Sequence, residues 1–229
     1  MKLDYLNATN YQIEQPDDFY HFNSDTELLG RFMRLKRNDV VLDIGCATGA
    51  LMLYAAHQRP KEIYGIDLFA EVIEQANKNL KRNQVEAFTE CCSLQEYKRY
   101  HYFDVVVCNP PYFATKNDDL TNDNPILKAA RHETYLSLEE LFKNVPVLLK
   151  DNGVFYLVHR SERLHEIILI AQKNGLYLKR MRIAYQSLNK KAKSVLFCFC
   201  KDIHCQLQID SPIFLNDRST FENMKGSGR

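Results

Sequence analysis

The chain is predicted to fold as a doubly wound, mostly parallel α/β sheet ending in an antiparallel hairpin, and three observations predict it. Short β-branched runs alternate with stretches of helical period through the middle of the 229 residues, the pattern of strands whose crossovers cover both faces of a parallel sheet. A turn of small residues, Gly45, Ala47 and Gly49, follows the first buried run. Two late strand-like runs, 178–186 and 194–201, are joined by a polar loop with no helix between them, and an antiparallel last strand on a parallel sheet is common.

Taken in order, residues 25–33 are expected to be helical with Ser24 or Asp25 as the cap. Val40–Ile44 reads as a buried strand, 49–57 as a helix and Glu62–Asp67 as a strand. Residues 70–81 form a helix with Val72, Ile73, Ala76 and Leu80 on one face. The strand 104–108 runs into Asn109-Pro110-Pro111, where two prolines end any regular structure. A helix over 136–149, despite Pro146, a strand over 154–159 and a helix over 162–173 complete the alternation.

With 45% hydrophobic and 26% charged residues, 8 Gly and 7 Pro, the composition is that of a soluble globular chain. The length suits a single domain over 1–223, including an N-terminal extension of about 37 residues, before a flexible tail. Residues 1–20 carry acids and amides with no apolar core segment, and the apolar runs elsewhere are far too short to span a bilayer, so neither export nor a membrane is expected. Seven cysteines form an odd set with no CxxC pair, which points to reduced thiols in a cytoplasm, without disulfides or a bound metal. A net charge of +1 provides no general attraction to nucleic acid, so any basic surface must be local. Residues 179–193 carry six basic side chains and no acid, a pattern that suits a phosphate-binding stretch and an ordinary solvated surface equally well.

Two sets of residues carry chemistry. In VVLDIGCATGALML, Asp43 comes directly before the small-residue turn, which lets a ligand approach the backbone at the strand end and helix N-terminus. The next strand ends in Asp67, followed by Leu68, where a carboxylate can accept hydrogen bonds from both hydroxyls of a ribose. The glycines are spaced GxxxG and the turn has no basic residue, unlike a site built for a pyrophosphate. Ala47 stands where glycine would be freer, and alanine is expected to hold an ordinary L-residue conformation there. The second set is Asn109, Pro110, Pro111 and Tyr112, then Phe113, at a carboxyl strand end where open α/β sheets put reacting groups.

These motifs resemble those of the class I S-adenosylmethionine methyltransferases, with DxGxGxG changed at Ala47, and the NPPY signature resembles that of enzymes modifying a planar, conjugated nitrogen. The resemblance implies a seven-stranded, Rossmann-like sheet, S-adenosylmethionine as donor and S-adenosylhomocysteine as product. It implies that the Asn109 side-chain oxygen and the Pro110 carbonyl accept the two N–H bonds of an aromatic amine, localising a lone pair otherwise spread into the ring. Tyr112 and Phe113 would offer stacking surface, and Ser93, in CCSLQEY, stands where an acid usually meets the cofactor's adenine.

Over nearly its whole length the chain resembles the bacterial adenine N6-methyltransferases acting at position 37 of a valine tRNA. FNSDTELLGRF, NPPYF, KAARHET, LVHRSERLHEII and IDSPIFLND carry this likeness. It implies that Asp25 and Thr26 lie near the methionine end of the cofactor, that Asn109 also borders the cofactor, and that Arg131 and His132 flank the nucleotide. A tRNA anticodon loop, with its unpaired bases, is the implied partner; Lys190, Lys191 and Lys193 with Arg160, and also Lys179, Arg180, Arg182 and Arg163, would meet phosphates. No metal is implied, and a monomer is favoured. The same NPPY logic serves protein glutamine methyltransferases and guanine N2-methyltransferases, and an RNA-binding module that has lost turnover is the alternative outside catalysis.

Overall fold

The computed structural model describes residues 2–17, 19, 21–110, 112, 136–217 and 219–222. The chain begins with a hairpin, β1 (Lys2–Tyr5) and β2 (Gln12–Gln15), followed by α1 (Ser24–Phe32). Next come β3 (Val40–Ile44), α2 (Ala50–His57), β4 (Glu62–Asp67), α3 (Ala70–Arg82), β5 (Phe88–Cys91) and β6 (Phe103–Cys108). The later elements are α4 (Leu138–Leu148), β7 (Leu149–Arg160), α5 (Leu164–Lys173), β8 (Tyr177–Tyr185) and β9 (Ala192–Cys200). Two short strands, β10 (Gln208–Ile209) and β11 (Ile213–Phe214), precede a final turn of helix, α6 (Ser219–Glu222).

Seven strands make the body of the sheet in the order β8-β9-β7-β6-β3-β4-β5. Neighbours from β7 to β5 run parallel, whereas β9 pairs antiparallel with both β7 and β8, so the expected fold class holds. The period-2 alternation along each strand divides the apolar residues between two faces. Along β6, Val105 and Val107 join Leu28, Leu29, Met52, Leu53, Ala76 and Leu80 of α1, α2 and α3. Val106 and Cys108 join Leu141, Phe142, Val145, Ile167 and Ala171 of α4 and α5. Each such large side chain, fully buried, contributes about 1.5–3 kcal/mol.

Several details depart from the sequence reading, the unexpected edge strand β5 among them. The cap of α1 is Asn23, whose side chain accepts from the Asp25 and Thr26 N–H groups; this releases Asp25 and Thr26, in the first helical turn, for other partners. The sequence reading assigns no element near the N-terminus, yet β1 and β2 pair there, and Leu6 and Ile13 are fully buried. Their hairpin is bound to α3 by reciprocal bonds between the Asn79 and Asn83 amides and the Glu14 and Gln12 backbone. Finally, β7 starts five residues earlier than expected, across an irregularity in its pairing with β6, and β10 and β11 extend the sheet beyond β8.

Candidate active site

The carboxyl ends of β3, β4 and β6 stand side by side, Asp43 pairing with Gly65 and Val107, and Ile44 with Ile66 and Cys108. The turn after β3 is tied down by Gly45 and Cys46 N–H bonds to the Ile66 carbonyl. Gly45 and Gly49 take positive φ, +69° and +87°. Ala47 does so as well, at +46°, contrary to the expectation of an ordinary L-residue conformation. Left-handed backbone costs an L-residue about 1–2 kcal/mol, and here the Ala47 N–H donates to Asp67 Oδ2 at 3.0 Å. Asn79 Nδ2 donates to the Thr48 carbonyl, linking the same turn through α3 to the N-terminal hairpin.

Asp67 is thus a loop anchor as well as a strand-tip acid: its Oδ1 accepts from Leu68 N–H at 2.8 Å and Phe69 N–H at 3.4 Å. Burial raises its pKa, and the three backbone donors oppose that rise. Leu68 beside it is 37% exposed. Asp43 is different. It is buried, and neither carboxylate oxygen has a hydrogen-bond partner among the described residues. Burial pushes its pKa well above the carboxylate range, and the nearby Asp67 adds to this. A carboxylate left so bare is a place for a donor or cation from outside the chain. Ser93, expected near an adenine, donates from its hydroxyl to Glu96 at 2.7 Å; the acid lacking at position 93 stands one turn further on.

At the end of β6 the Asn109 amide nitrogen donates to Thr26 Oγ1 at 2.9 Å, which turns its oxygen the other way. That oxygen accepts from the Tyr112 hydroxyl at 2.8 Å, and the same hydroxyl lies 3.2 Å from Asp25 Oδ2. Asp25, buried, also accepts from Ser194 Oγ at 2.8 Å. Lys193 is drawn into this group, donating to Ser24 Oγ at 2.9 Å and lying 3.8 Å from Asp25. The guanidinium of Arg160 covers the Tyr112 ring at 5.0 Å, and His159 meets that ring edge-on at 5.1 Å. Asp25 and Thr26, expected at the cofactor, are therefore joined to the Asn-Pro corner.

Arg180 and Arg182, expected at phosphates, are instead buried on Asp210, with contacts of 2.7 and 3.1 Å. Burial raises the Asp210 pKa, but the two guanidinium groups outweigh it and hold the carboxyl below its usual range. Arg163 pairs with Glu166 one turn along. Lys190 and Lys191 are exposed at the β8–β9 connection. Pro111, Phe113, Arg131 and His132, with the KAARHET segment and the tail, lie outside the described residues. No local pattern marks Ser194, which reaches Asp25 only through folding. Among the described residues, no cluster of His, Cys, Asp and Glu fit to hold a metal occurs, and no helix is long and apolar enough to cross a membrane.

The chain is similar to several known methyltransferases. The tRNA1(Val) (adenine(37)-N6)-methyltransferase of Cytophaga hutchinsonii is 29% identical over 160 residues, 68% of this chain and 66% of that one. The protein of the same name from Phocaeicola vulgatus is 28% identical over 178 residues, 77% and 75% of the two chains. Among solved structures, a predicted O-methyltransferase from Agrobacterium tumefaciens superposes with a TM-score of 0.63 at 17% identity, over 83% of this chain and 86% of the other, a likeness of fold. The model of the methyltransferase small domain matches residues 19–133, a span that takes in the helix carrying Asp25, both strand-tip acids and the Asn-Pro corner, and the chain belongs to that family.

Proposed function

We propose that this chain transfers a methyl group from S-adenosylmethionine to the exocyclic N6 amine of an adenine in tRNA, with position 37 of a valine tRNA as the target. The names of the two relatives support adenine over the glutamine and guanine alternatives. The observation that carries the reading is the Asn109 carboxamide, tied by its nitrogen to Thr26 and offering its oxygen to a hydroxyl donor, one strand away from the turn that follows Asp43.

The residues present fit the cofactor. Asp43, bare and buried, suits the cationic amino-acid end; Asp67 retains acceptor capacity for ribose hydroxyls beyond its backbone donors, and Leu68 offers an apolar face for the purine. The cofactor supplies an electrophilic methyl group on a positively charged sulfur. The chain's own part is to ready the nucleophile. The incoming amine replaces the Tyr112 hydroxyl at Asn109 Oδ1, an exchange of like for like, and donates its second N–H to the Pro110 carbonyl. Both acceptors favour the pyramidal nitrogen found only on the way to the transition state. Thr26 keeps the Asn109 amide from rotating, and Tyr112, freed from the corner, stacks on the base for about 1–3 kcal/mol.

In this reading the chain works in the cytoplasm as one domain and a monomer, on an unpaired loop base that needs little energy to turn into the pocket. Lys190, Lys191 and Arg160 face the RNA backbone. Incubation with labelled cofactor and unmodified total tRNA, followed by nucleoside analysis, tests it. N6-methyladenosine is expected; label in N2-methylguanosine or in added protein overturns the assignment.

A further inference from the structure

His159 is fully buried near the end of β7, and its Nε2 has no hydrogen-bond partner among the described residues. Its other ring nitrogen, Nδ1, lies 2.9 Å from the Arg160 N–H. Because a backbone N–H only donates, Nδ1 accepts, and the ring proton is on Nε2. Burial, with the positive charges of Arg163 and Arg160 outweighing Glu166, lowers the pKa to about 3, so this single tautomer persists at neutral pH. The result is a fixed, uncharged donor with nothing to bond.

Its place gives that donor a use. Leu157 of β7 pairs with Cys108 of β6; two residues further along both strands stand His159 and Pro110. The imidazole meets the Tyr112 ring at 5.1 Å with a 65° angle between planes, and the Tyr112 hydroxyl holds the Asn109 oxygen. Neighbouring buried polar groups are satisfied: Asp25 by Ser194 and Tyr112, and Thr26 by Asn109. When Tyr112 leaves Asn109 for the base, the space it vacates opens beside His159.

We propose that His159 is a specificity-determining residue of the base pocket, its Nε2–H donating to the ring nitrogen that flanks the target amine. This rests on the adenine reading above. Adenine has an acceptor nitrogen on each side of its C6 amine, N1 on one and N7 on the other. Guanine has an N–H on the Watson–Crick side of its amine and the N3 acceptor on the other, so a donor set against adenine N1 meets an N–H in guanine and is left unpaired. A site whose buried donor is satisfied only by the right base rejects the wrong one because that donor is otherwise left unpaired.

Atom replacement in the substrate tests this. Synthetic anticodon stem-loop RNA is prepared with adenine, 1-deazaadenine or 7-deazaadenine at the target, and methyl transfer is measured for the wild-type chain and for His159→Phe. 1-Deazaadenine is expected to lower wild-type kcat/KM by about tenfold or more; a loss with 7-deazaadenine alone contradicts the discrimination against guanine. His159→Phe is expected to lose a similar factor on adenine and to be indifferent to the same replacement. His159→Leu provides the same comparison if the phenylalanine variant does not fold. Deaza effects of equal size in wild type and variant overturn the inference while leaving adenine methylation standing. Failure of the wild type to methylate the adenine RNA overturns the functional reading itself.

Discussion

At the scale of single residues, the buried Asp43 sets function against stability. Its native pKa is raised, burial first and Asp67 second, so the folded state binds a proton more tightly than the unfolded one. Its contribution is therefore retained below the unfolded pKa, near 3.9, and is lost as pH rises from there toward the raised native value. Asp43→Asn removes this penalty at neutral pH. The variant is expected to melt about 2–4 °C higher while binding the cofactor at least tenfold more weakly, read by thermal denaturation and calorimetry. Asp67→Ala should lose cofactor affinity and also loosen the turn, since the Ala47, Leu68 and Phe69 N–H groups all lose their acceptor; unchanged affinity by calorimetry contradicts the ribose assignment. Both acids were legible in the sequence because each closes a hydrophobic strand next to a turn. The positive φ of Ala47 was not, since it is imposed by a carboxylate 20 residues away.

At the scale of elements, the β8–β9 hairpin divides its basic residues by burial. Alternation could have warned of this: Arg180 and Arg182 share one face of β8, and that face is covered by the chain that returns through Asp210. Asp210→Ala leaves two guanidinium groups buried without their counter-charge and is expected to destabilise the fold by about 3–5 kcal/mol, measured by denaturant titration. Lys190 and Lys191, in the connecting loop, are exposed, as is Lys179 on β8. Replacing the two loop lysines by alanine should reduce the slope of log affinity against log salt for tRNA by about 1.4, at about 0.7 per contact to unpaired RNA; an unaltered slope makes them ordinary surface. The longer strands and helices were readable from their periods. The four-residue strands β1 and β2 and the two-residue β10 and β11 are too short to show a period, and their burial depends on α3 and β8.

At the scale of the whole molecule, four distant stretches make one site: α1 brings Asp25 and Thr26, the end of β6 brings Asn109, β7 brings His159 and Arg160, and β9 brings Ser194. The sequence displayed the Asn-Pro corner and the two acids, but not the assembly, for Asn109 and Thr26 are 83 positions apart and Ser194 and Asp25 are 169 apart. One global consequence is acid sensitivity. His159 has a native pKa of about 3 against about 6.5 unfolded, so the unfolded state binds the extra proton between these values. The stability it secures is complete above about pH 6.5 and is lost progressively as pH falls toward 3. The wild type should therefore lose stability across that window, and His159→Phe should show a flatter curve by thermal denaturation.

The central claim is that Asn109 acts on the substrate amine and not on the cofactor. Single-turnover methyl transfer to tRNA by Asn109→Ala, with cofactor affinity measured on the same preparation, tests it most directly. The expected rate is at least about a hundredfold lower, with cofactor affinity within about twofold of wild type. Near-normal transfer, or a loss explained entirely by weaker cofactor binding, contradicts it.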